Sequence, residues 1–286
     1  MRNRAALGIL SLLGLLVPGA CLAAQFEARL DLSSSNRYTW HGLSRAAGIV
    51  AQSAVAAGFR SGRLTIATGF VRHHELDRVS PGELTELGTG TGRVGEDDVW
   101  AQAGLELGRF RLSSGVVRYH FRGEAPEGGG GPLRNTTEVS AAAGTIGRYL
   151  NPTLEAWWDV GRVRGAFLRA SATSPVVGWP FEPFFFIALA GEVGLNLGQG
   201  PDPARPGDLA NFSDRGVTHA ALALNTVHRL HHWGGVGSAS LSFGLNSQLN
   251  FDEAARFNGL GRRNGLILWL SAGVTLLLGG EARVLR

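Results

Sequence analysis

The feature that most constrains the fold is the alternation of polar and apolar residues along residues 238–251. Successive side chains of a β-strand point to opposite faces of the sheet, so this stretch predicts a strand with one polar and one apolar face. It is also long for a strand of a soluble protein. The polar set is Ser238, Ser240, Ser242, Gly244, Asn246, Gln248 and Asn250, and the other set is Ala239, Leu241, Phe243, Leu245, Ser247, Leu249 and Phe251.

The same period of two recurs along the chain, whereas no long window keeps a helical apolar stripe with a cap at each end. Each segment is close to the length of about ten residues that a tilted strand needs to cross a bilayer. We therefore predict an all-β fold, an antiparallel transmembrane β-barrel of twelve strands. The predicted strands are residues 25–38, 49–59, 63–73, 97–107, 110–122, 134–146, 152–160, 163–174, 182–197, 215–228, 236–250 and 264–278.

The connections between the predicted strands alternate in length. Long polar connections follow strands three, five, nine and eleven, and short turns follow strands two, four and six. This alternation is typical of an outer-membrane barrel with both termini in the periplasm. The connections after strands seven, eight and ten depart from it, which leaves a miscounted strand as an alternative. The long connections are residues 74–96, 123–133, 198–214 and 251–263.

Two other folds fit parts of the pattern. A soluble β-sandwich shows the same alternation with its apolar face inside. The uncharged stretch 265–280 could form a C-terminal helical anchor, although it is shorter than the roughly 20 residues that a spanning helix needs. The length of the strands, the asymmetry of the loops and the N-terminal segment favour the barrel.

The N-terminal segment, residues 1–24, has the pattern of a cleaved secretory signal peptide. Arg2 and Arg4 precede an apolar run, and small residues follow it up to Ala24. A lipoprotein acylated at Cys21 and an uncleaved anchor are the alternatives. Cys21 is the only cysteine, so the remaining domain, residues 25–286, is expected to fold without disulfides.

The charge of the chain argues against a nucleic-acid partner. All 27 cationic residues are arginine, but the formal net charge is only +4. The arginines are scattered, and the longest basic run is the pair Arg262 and Arg263. A nucleic-acid-binding protein would instead concentrate its basic residues in a patch.

The stretch SSSNRYTWHGLSRAAGIVAQSAVAAG, residues 33–58, resembles the start of the TorF-like porins, a family of bacterial outer-membrane barrels. Members begin with a pattern like S-x-Y-x-x-R-G-x-S, followed by a short glycine-containing loop and a strand with an early glutamine. His41 stands where the family usually has arginine. The resemblance implies a small barrel and a pore, and it brings no catalytic residues. The matching positions are Tyr38, Gly42, Leu43, Ser44, Gly48 and Gln52.

Strand parity predicts which polar side chains point into the barrel, because a charge facing lipid costs about 2–4 kcal/mol at the midplane. If the lumen is open, its mixed charges would sort small polar solutes. If Arg29 and Arg169 instead pair with Glu138 or Glu192, the lumen is a salt-bridged plug. The predicted lumen residues are Glu27, Arg29, Asp31, Arg37, Gln52, Gln102, Glu106, Glu138, Arg169, Glu192, Asn196, Asn225, Ser240, Asn246 and Gln248.

The sequence offers few candidates for catalysis or metal binding. A lipid-cleaving barrel needs a serine with a histidine base, and Ser213 with His219 is a weak pair of that kind. The run HRLHH (His228, His231 and His232) could bind Zn²⁺ or Cu²⁺, and the pair His73–His74 is a weaker candidate. We expect no catalytic residues, no metal centre and no cofactor.

These observations predict a passive channel for small polar solutes in the bacterial outer membrane, with the lipid bilayer as its partner. One alternative is a closed barrel that binds a ligand or partner through its outer loops, 123–133 and 198–214. The other is a lipid-modifying barrel enzyme. The oligomeric state stays open.

Overall fold

The structure is a computed structural model, in which most of the barrel wall is described. The predicted signal peptide, residues 1–24, lies outside the described residues, and so does most of each predicted long connection. The described residues are 25–41, 43–46, 48–76, 95–122, 135–147, 149–161, 163–177, 185–200, 211–233, 236–253 and 265–279.

The described chain forms fourteen strands, of which twelve make one closed antiparallel barrel and two make a separate hairpin. The strands are Gln25–Ser35 (β1), Tyr38–Trp40 (β2), Leu43–Ala46 (β3), Val50–Ser61 (β4), Leu64–Glu75 (β5), Gly95–Leu107 (β6), Phe110–Arg122 (β7), Thr136–Thr145 (β8), Asn151–Asp159 (β9), Ala166–Val177 (β10), Phe185–Asn196 (β11), Gly216–His232 (β12), Gly237–Asn250 (β13) and Leu266–Gly279 (β14).

The barrel closes because β1 pairs with both β4 and β14. Glu27 lies opposite Gly58 on one side and Gly279 on the other. Closure gives each strand a partner on both sides, which satisfies the backbone hydrogen bonds that hydrocarbon cannot. The predicted fold class and the count of twelve barrel strands are confirmed. Among the described residues, no helix is long and apolar enough to cross a membrane.

The alternative folds are wrong. One closed sheet replaces the two packed sheets of a sandwich. The segment considered for a helical anchor forms β14, in which leucines alternate with smaller residues over residues 266–279. The predicted ends of the barrel strands differ from the observed ends by four residues at most.

The alternation of side chains separates an outer from an inner face. On β13, Leu245 is 53% exposed on the outer face, and Gln248 is 2% exposed on the inner face. The apolar residues of the opening stretch therefore cover the outside of the barrel, where a membrane would contact them.

The two ends of the barrel differ in their connections. The turn end joins strands by short links such as 62–63 and 108–109, where Gly62 and Gly108 have positive φ angles of 57° and 65°. Glycine suits such turns because it has no Cβ to clash. The opposite end, the long-loop end, carries residues 36–49, 76–94, 123–135, 160–165, 197–215 and 251–265.

The first connection at the long-loop end contains the hairpin of β2 and β3. The first predicted strand, 25–38, therefore ends too late, because β1 stops at Ser35. Tyr38 begins the hairpin instead, and it is buried. We call residues 38–46 the inner hairpin, because the side chains of Tyr38, Trp40, His41 and Leu43 contact the inner face of the barrel wall.

Candidate functional site in the barrel lumen

The base of the inner hairpin contacts the wall formed by β5 and β6. The ring of Tyr38 stacks on His73 with 4.3 Å between ring centroids. The Tyr38 hydroxyl also donates to Oε1 of Glu96 at 3.3 Å. These contacts link the base of the hairpin to two strands near β1.

The tip of the hairpin reaches strands farther around the barrel. Trp40 Nε1 donates to the Tyr119 hydroxyl on β7 at 3.1 Å, and this hydroxyl donates to Oε2 of Glu138 on β8 at 2.9 Å. His41 Nε2 lies 3.1 Å from the same oxygen. The backbone of His41 has a positive φ of 47°, which turns the chain at the tip.

Aromatic residues on β9 and β10 surround the tip. The ring of His41 lies 5.5 Å from Trp157 on β9 and 4.4 Å from Phe167 on β10. Because β9 is six strands away from β1 in a ring of twelve, the hairpin crosses the bore of the barrel.

A small apolar core joins the hairpin to the wall. Leu43, Phe167 and Phe212 are each at most 2% exposed and form one cluster. Phe212 belongs to the connection between β11 and β12, so the described residues of a second connection also contribute to this cluster. In the same connection, Gln199 Nε2 lies 3.4 Å from Oε1 of Glu138. Packed side chains therefore occupy part of the long-loop end of the lumen.

Open space lies along the inner wall of β1 and of β4 to β7, from the middle of these strands toward the turn end. A cavity of about 330 Å³ is bordered by Arg29, Asp31, Gln102, Trp100 and Arg111. Small residues of the inner wall, such as Ala54, Ala56 and Ala67, also line it. We call this space the turn-end cavity.

Ion pairs cross the inner wall, but only some match the predicted plug. Arg169 Nε donates to Oε2 of Glu155 at 2.6 Å, and its Nη1 lies 3.8 Å from Glu192. Arg29 pairs with Asp31 on its own strand at 2.7 Å, rather than with Glu138 or Glu192. Of its two predicted partners, Arg169 therefore pairs with one, Glu192. Its nearest partner, Glu155, was not predicted.

The inner face is acidic toward the long-loop end. Within five residues of that end of each barrel strand, Arg169 is the one arginine among the inward-facing side chains that the structure describes. We call the carboxylates in this zone the acidic wall: Asp31, Glu96, Asp98, Glu138, Glu155, Asp159 and Glu192.

The register places the predicted lumen residues on one face, with one exception. Arg37 lies after the end of β1, in the segment leading to the inner hairpin, and burial lowers the pKa of its guanidinium from the ordinary value. The others share the face of the sheet opposite to the exposed leucines. They are Glu27, Arg29, Asp31, Gln52, Gln102, Glu106, Glu138, Arg169, Glu192, Asn196, Asn225, Ser240, Asn246 and Gln248.

These residues form local pairs rather than one constellation. Glu106 binds Arg60 at 2.5 Å, and Gln248 donates to Asn250 at 2.5 Å. Asn196 holds the connection that follows β11, because its Oδ1 accepts the backbone N–H groups of Gly198 and Gln199. Their contact with solutes stays a prediction.

The pair of Ser213 and His219 does not form a hydrolase site. His219 is fully buried, its Nδ1 lies 2.9 Å from the Thr218 hydroxyl, and its Nε2 lies 3.0 Å from Glu192. Both ring nitrogens are occupied, so neither can serve as a base for Ser213. That residue instead uses its backbone N–H to bind Asp252.

One group of side chains has the spacing of metal ligands. Within the described part of the chain, His73, Glu96 and Asp98 are the three whose ligand atoms lie within 4.8 Å of one another. His228, by contrast, contacts Phe185 through its ring. The run HRLHH therefore does not form a metal site among the described residues. The better candidate contains His73, from the pair His73–His74 that the sequence ranked lower.

Comparison with known proteins identifies a similar fold but no family for the chain. No family profile matches the chain, and no curated protein matches it. LpxR from Salmonella typhimurium is 8% identical over 86% of this chain and 99% of its own, with a TM-score of 0.50. An outer-membrane channel from Pseudomonas putida F1 is 11% identical over 92% and 99%, with a TM-score of 0.49. The likeness to LpxR concerns the barrel fold alone.

Proposed function

We propose that the protein is an outer-membrane channel for small polar solutes, restricted at one end by the inner hairpin. The observation that carries the proposal is the turn-end cavity, which is lined by charged and polar side chains between small inner-wall residues. A barrel that was purely structural would gain stability by filling this space with large side chains.

The orientation follows from the loops. In outer-membrane barrels the long loops face outward and the short turns face the periplasm. The turn-end cavity would then face the periplasm, and the inner hairpin would restrict the outer mouth. The apolar outer face would contact the lipid bilayer.

The restriction can be removed without breaking the barrel. Ser35 and Val50 are direct partners in the ladder of β1 and β4, so a tight turn can join them. Replacing residues 36–49 by a short Gly-Ser linker removes the hairpin and leaves the twelve barrel strands in place.

The test is single-channel conductance of both proteins in planar bilayers. We expect small steps from the native chain and, because the bore widens, steps larger by about threefold or more from the variant. His228→Ala, which changes an outer-face histidine beside Phe185, serves as the control and is expected to conduct like the native chain. If all three folded proteins are silent, the channel proposal is wrong.

A second candidate function is a closed barrel that binds a ligand through its outer loops. The packing of Leu43 against Phe167 and Phe212 favours it, because this core occupies part of the long-loop end. In that case the native chain would be silent and only the hairpin-free variant would conduct. A lipid-modifying activity is not proposed, because both nitrogens of His219 are occupied.

A further inference from the structure

We propose that His73, Glu96 and Asp98 bind a divalent metal ion, of which Zn²⁺ and Mn²⁺ are the best candidates. The site lies at the long-loop end of β5 and β6, beneath Tyr38 of the inner hairpin. It adjoins the margin of the turn-end cavity, whose lining includes Val71 opposite Asp98, but its existence does not depend on whether the barrel conducts.

The strand register builds the site. His73 on β5 lies directly opposite Glu96 on β6, and Asp98 follows on the same face of β6. The three side chains therefore converge, and their ligand atoms lie within 4.8 Å of one another. A distance of this size between ligand atoms suits coordination to one ion, since bonds to Zn²⁺ are about 2.0–2.2 Å long for nitrogen and oxygen ligands.

The site is almost fully withdrawn from solvent. The exposed fractions are 6% for His73, 1% for Glu96 and 7% for Asp98. Burying carboxylates is costly unless a cation or hydrogen bonds compensate for the lost water. A divalent ion would add to the contacts that Tyr38 and His73 make with these carboxylates.

The orientation of His73 is a second indication. Its Nε2 lies 3.2 Å from Oδ2 of Asp98, so this nitrogen faces the carboxylates and can bind an ion together with them. Its buried Nδ1 has no hydrogen-bond partner among the described residues. A neutral ring that binds an ion through Nε2 carries its proton on Nδ1, so the ligand set would be Nε2 of His73 with carboxylate oxygens of Glu96 and Asp98.

The donor set indicates which ions fit. One imidazole with carboxylate oxygens suits Zn²⁺ and Mn²⁺ better than Mg²⁺ or Ca²⁺, which prefer oxygen ligands alone. Tyr38 covers the site, with its ring on His73 and its hydroxyl on Glu96. A bound ion would therefore also hold the base of the inner hairpin against the wall.

The experiment measures Zn²⁺ and Mn²⁺ binding by calorimetry on the refolded full chain in detergent after treatment with a chelator. Two neighbouring pairs of residues supply matched variants. His73→Ala and Asp98→Asn change inner-face residues of the site. His74→Ala and Asp97→Asn change the adjacent residues, which belong to the outer face of the same strands.

We expect His73→Ala to abolish one binding event. Asp98→Asn is expected to weaken the same event by at least about 10-fold, because it replaces a carboxylate ligand by a neutral amide. The two outer-face variants should bind like the native chain. A heat-modifiability gel checks that each variant is folded.

A measurement on the native chain keeps the proposal testable even if a site variant fails to fold. X-ray absorption of the chain with one equivalent of Zn²⁺ should show one imidazole nitrogen among oxygen ligands. Two or more imidazoles would assign the ion to another histidine cluster and overturn the proposal. Equal binding by His73→Ala and His74→Ala, or no binding by the native chain, would also overturn it.

Discussion

The two ends of the lumen are built from the same strands and yet differ in almost every respect. At the long-loop end, Phe167 and Glu138 are fully buried, and the inner hairpin crosses the bore. Toward the turn end, small residues such as Ala56 and Ala67 line a cavity instead. The alternation of side chains is identical at both ends, so it decides which face a residue occupies. The size of the inner residue decides whether space remains.

The two ends therefore favour different properties: packing stabilises the barrel at the long-loop end, and open space remains at the turn end. Fully buried aromatic residues at the long-loop end contribute packing energy, since burial of a large apolar side chain is worth about 1.5–3 kcal/mol. Small inner residues at the turn end forgo that energy and leave room for water and solutes. Each half of the lumen thus has its own expected response to mutation.

The largest effect is expected from Phe167→Ala at the long-loop end. Phe167 is fully buried between His41 and Phe212, so the variant leaves a cavity and should lower the free energy of unfolding by about 3 kcal/mol. Urea unfolding in micelles, followed by tryptophan fluorescence, measures the change. Phe243→Ala, on the outer face, is the control, and its free energy of unfolding should fall by a smaller amount. Equal losses would mean that no packed core exists at this end.

An intermediate effect is expected from filling the turn-end cavity. Ala56→Phe places a ring in the cavity, so single-channel conductance should fall by about twofold or more. The same change at the adjacent residue, Ala57→Phe, points to the outer face and should leave conductance unaltered. A fall caused by Ala57→Phe alone would place the conducting path elsewhere.

The smallest effect concerns ion selectivity. The acidic wall should attract cations into the lumen, so the native channel should prefer K⁺ over Cl⁻. Glu192→Gln removes one partly exposed carboxylate of that wall and should reduce the permeability ratio by about a factor of two, measured as a reversal potential in a salt gradient. Asp97→Asn neutralises an outer-face carboxylate and should not change the ratio. A native preference for Cl⁻ would contradict this reading of the wall.

The barrel was predictable because alternation repeats in every strand. Residues 238–251 alone indicate two faces, and the recurrence of the pattern gives the count of twelve, which the closed sheet confirms. The departure after the seventh predicted strand also proved real: β9 and β10 are joined by the short connection 160–165.

The filling of the lumen could not be predicted in the same way. Parity places Glu138 on a face, but it gives no information on which loop folds over it. The contacts of His41 with Glu138 and of Tyr38 with Glu96 join residues 97 and 58 positions apart. The signal that could have been noticed is the cluster of aromatic residues in 38–41, which would be unusual in an exposed loop.

The candidate metal ligands were missed for a related reason. His73 and His74 are adjacent, so on a strand they point to opposite faces and cannot bind one ion together. Only the register of β5 with β6 brings His73 to Glu96 and Asp98. That register cannot be predicted from the sequence of either strand alone.

The most direct test of the contrast between the two ends is access of a charged thiol reagent to single cysteines in a bilayer. The chain has one native cysteine, Cys21, in the predicted signal peptide. Ala56→Cys, in the turn-end cavity, should react rapidly from the turn side and block conductance. Val117→Cys, an inner-face residue toward the long-loop end that is 9% exposed, should react slowly from both sides. Equal rates at the two positions, or no reaction at residue 56, would contradict the account.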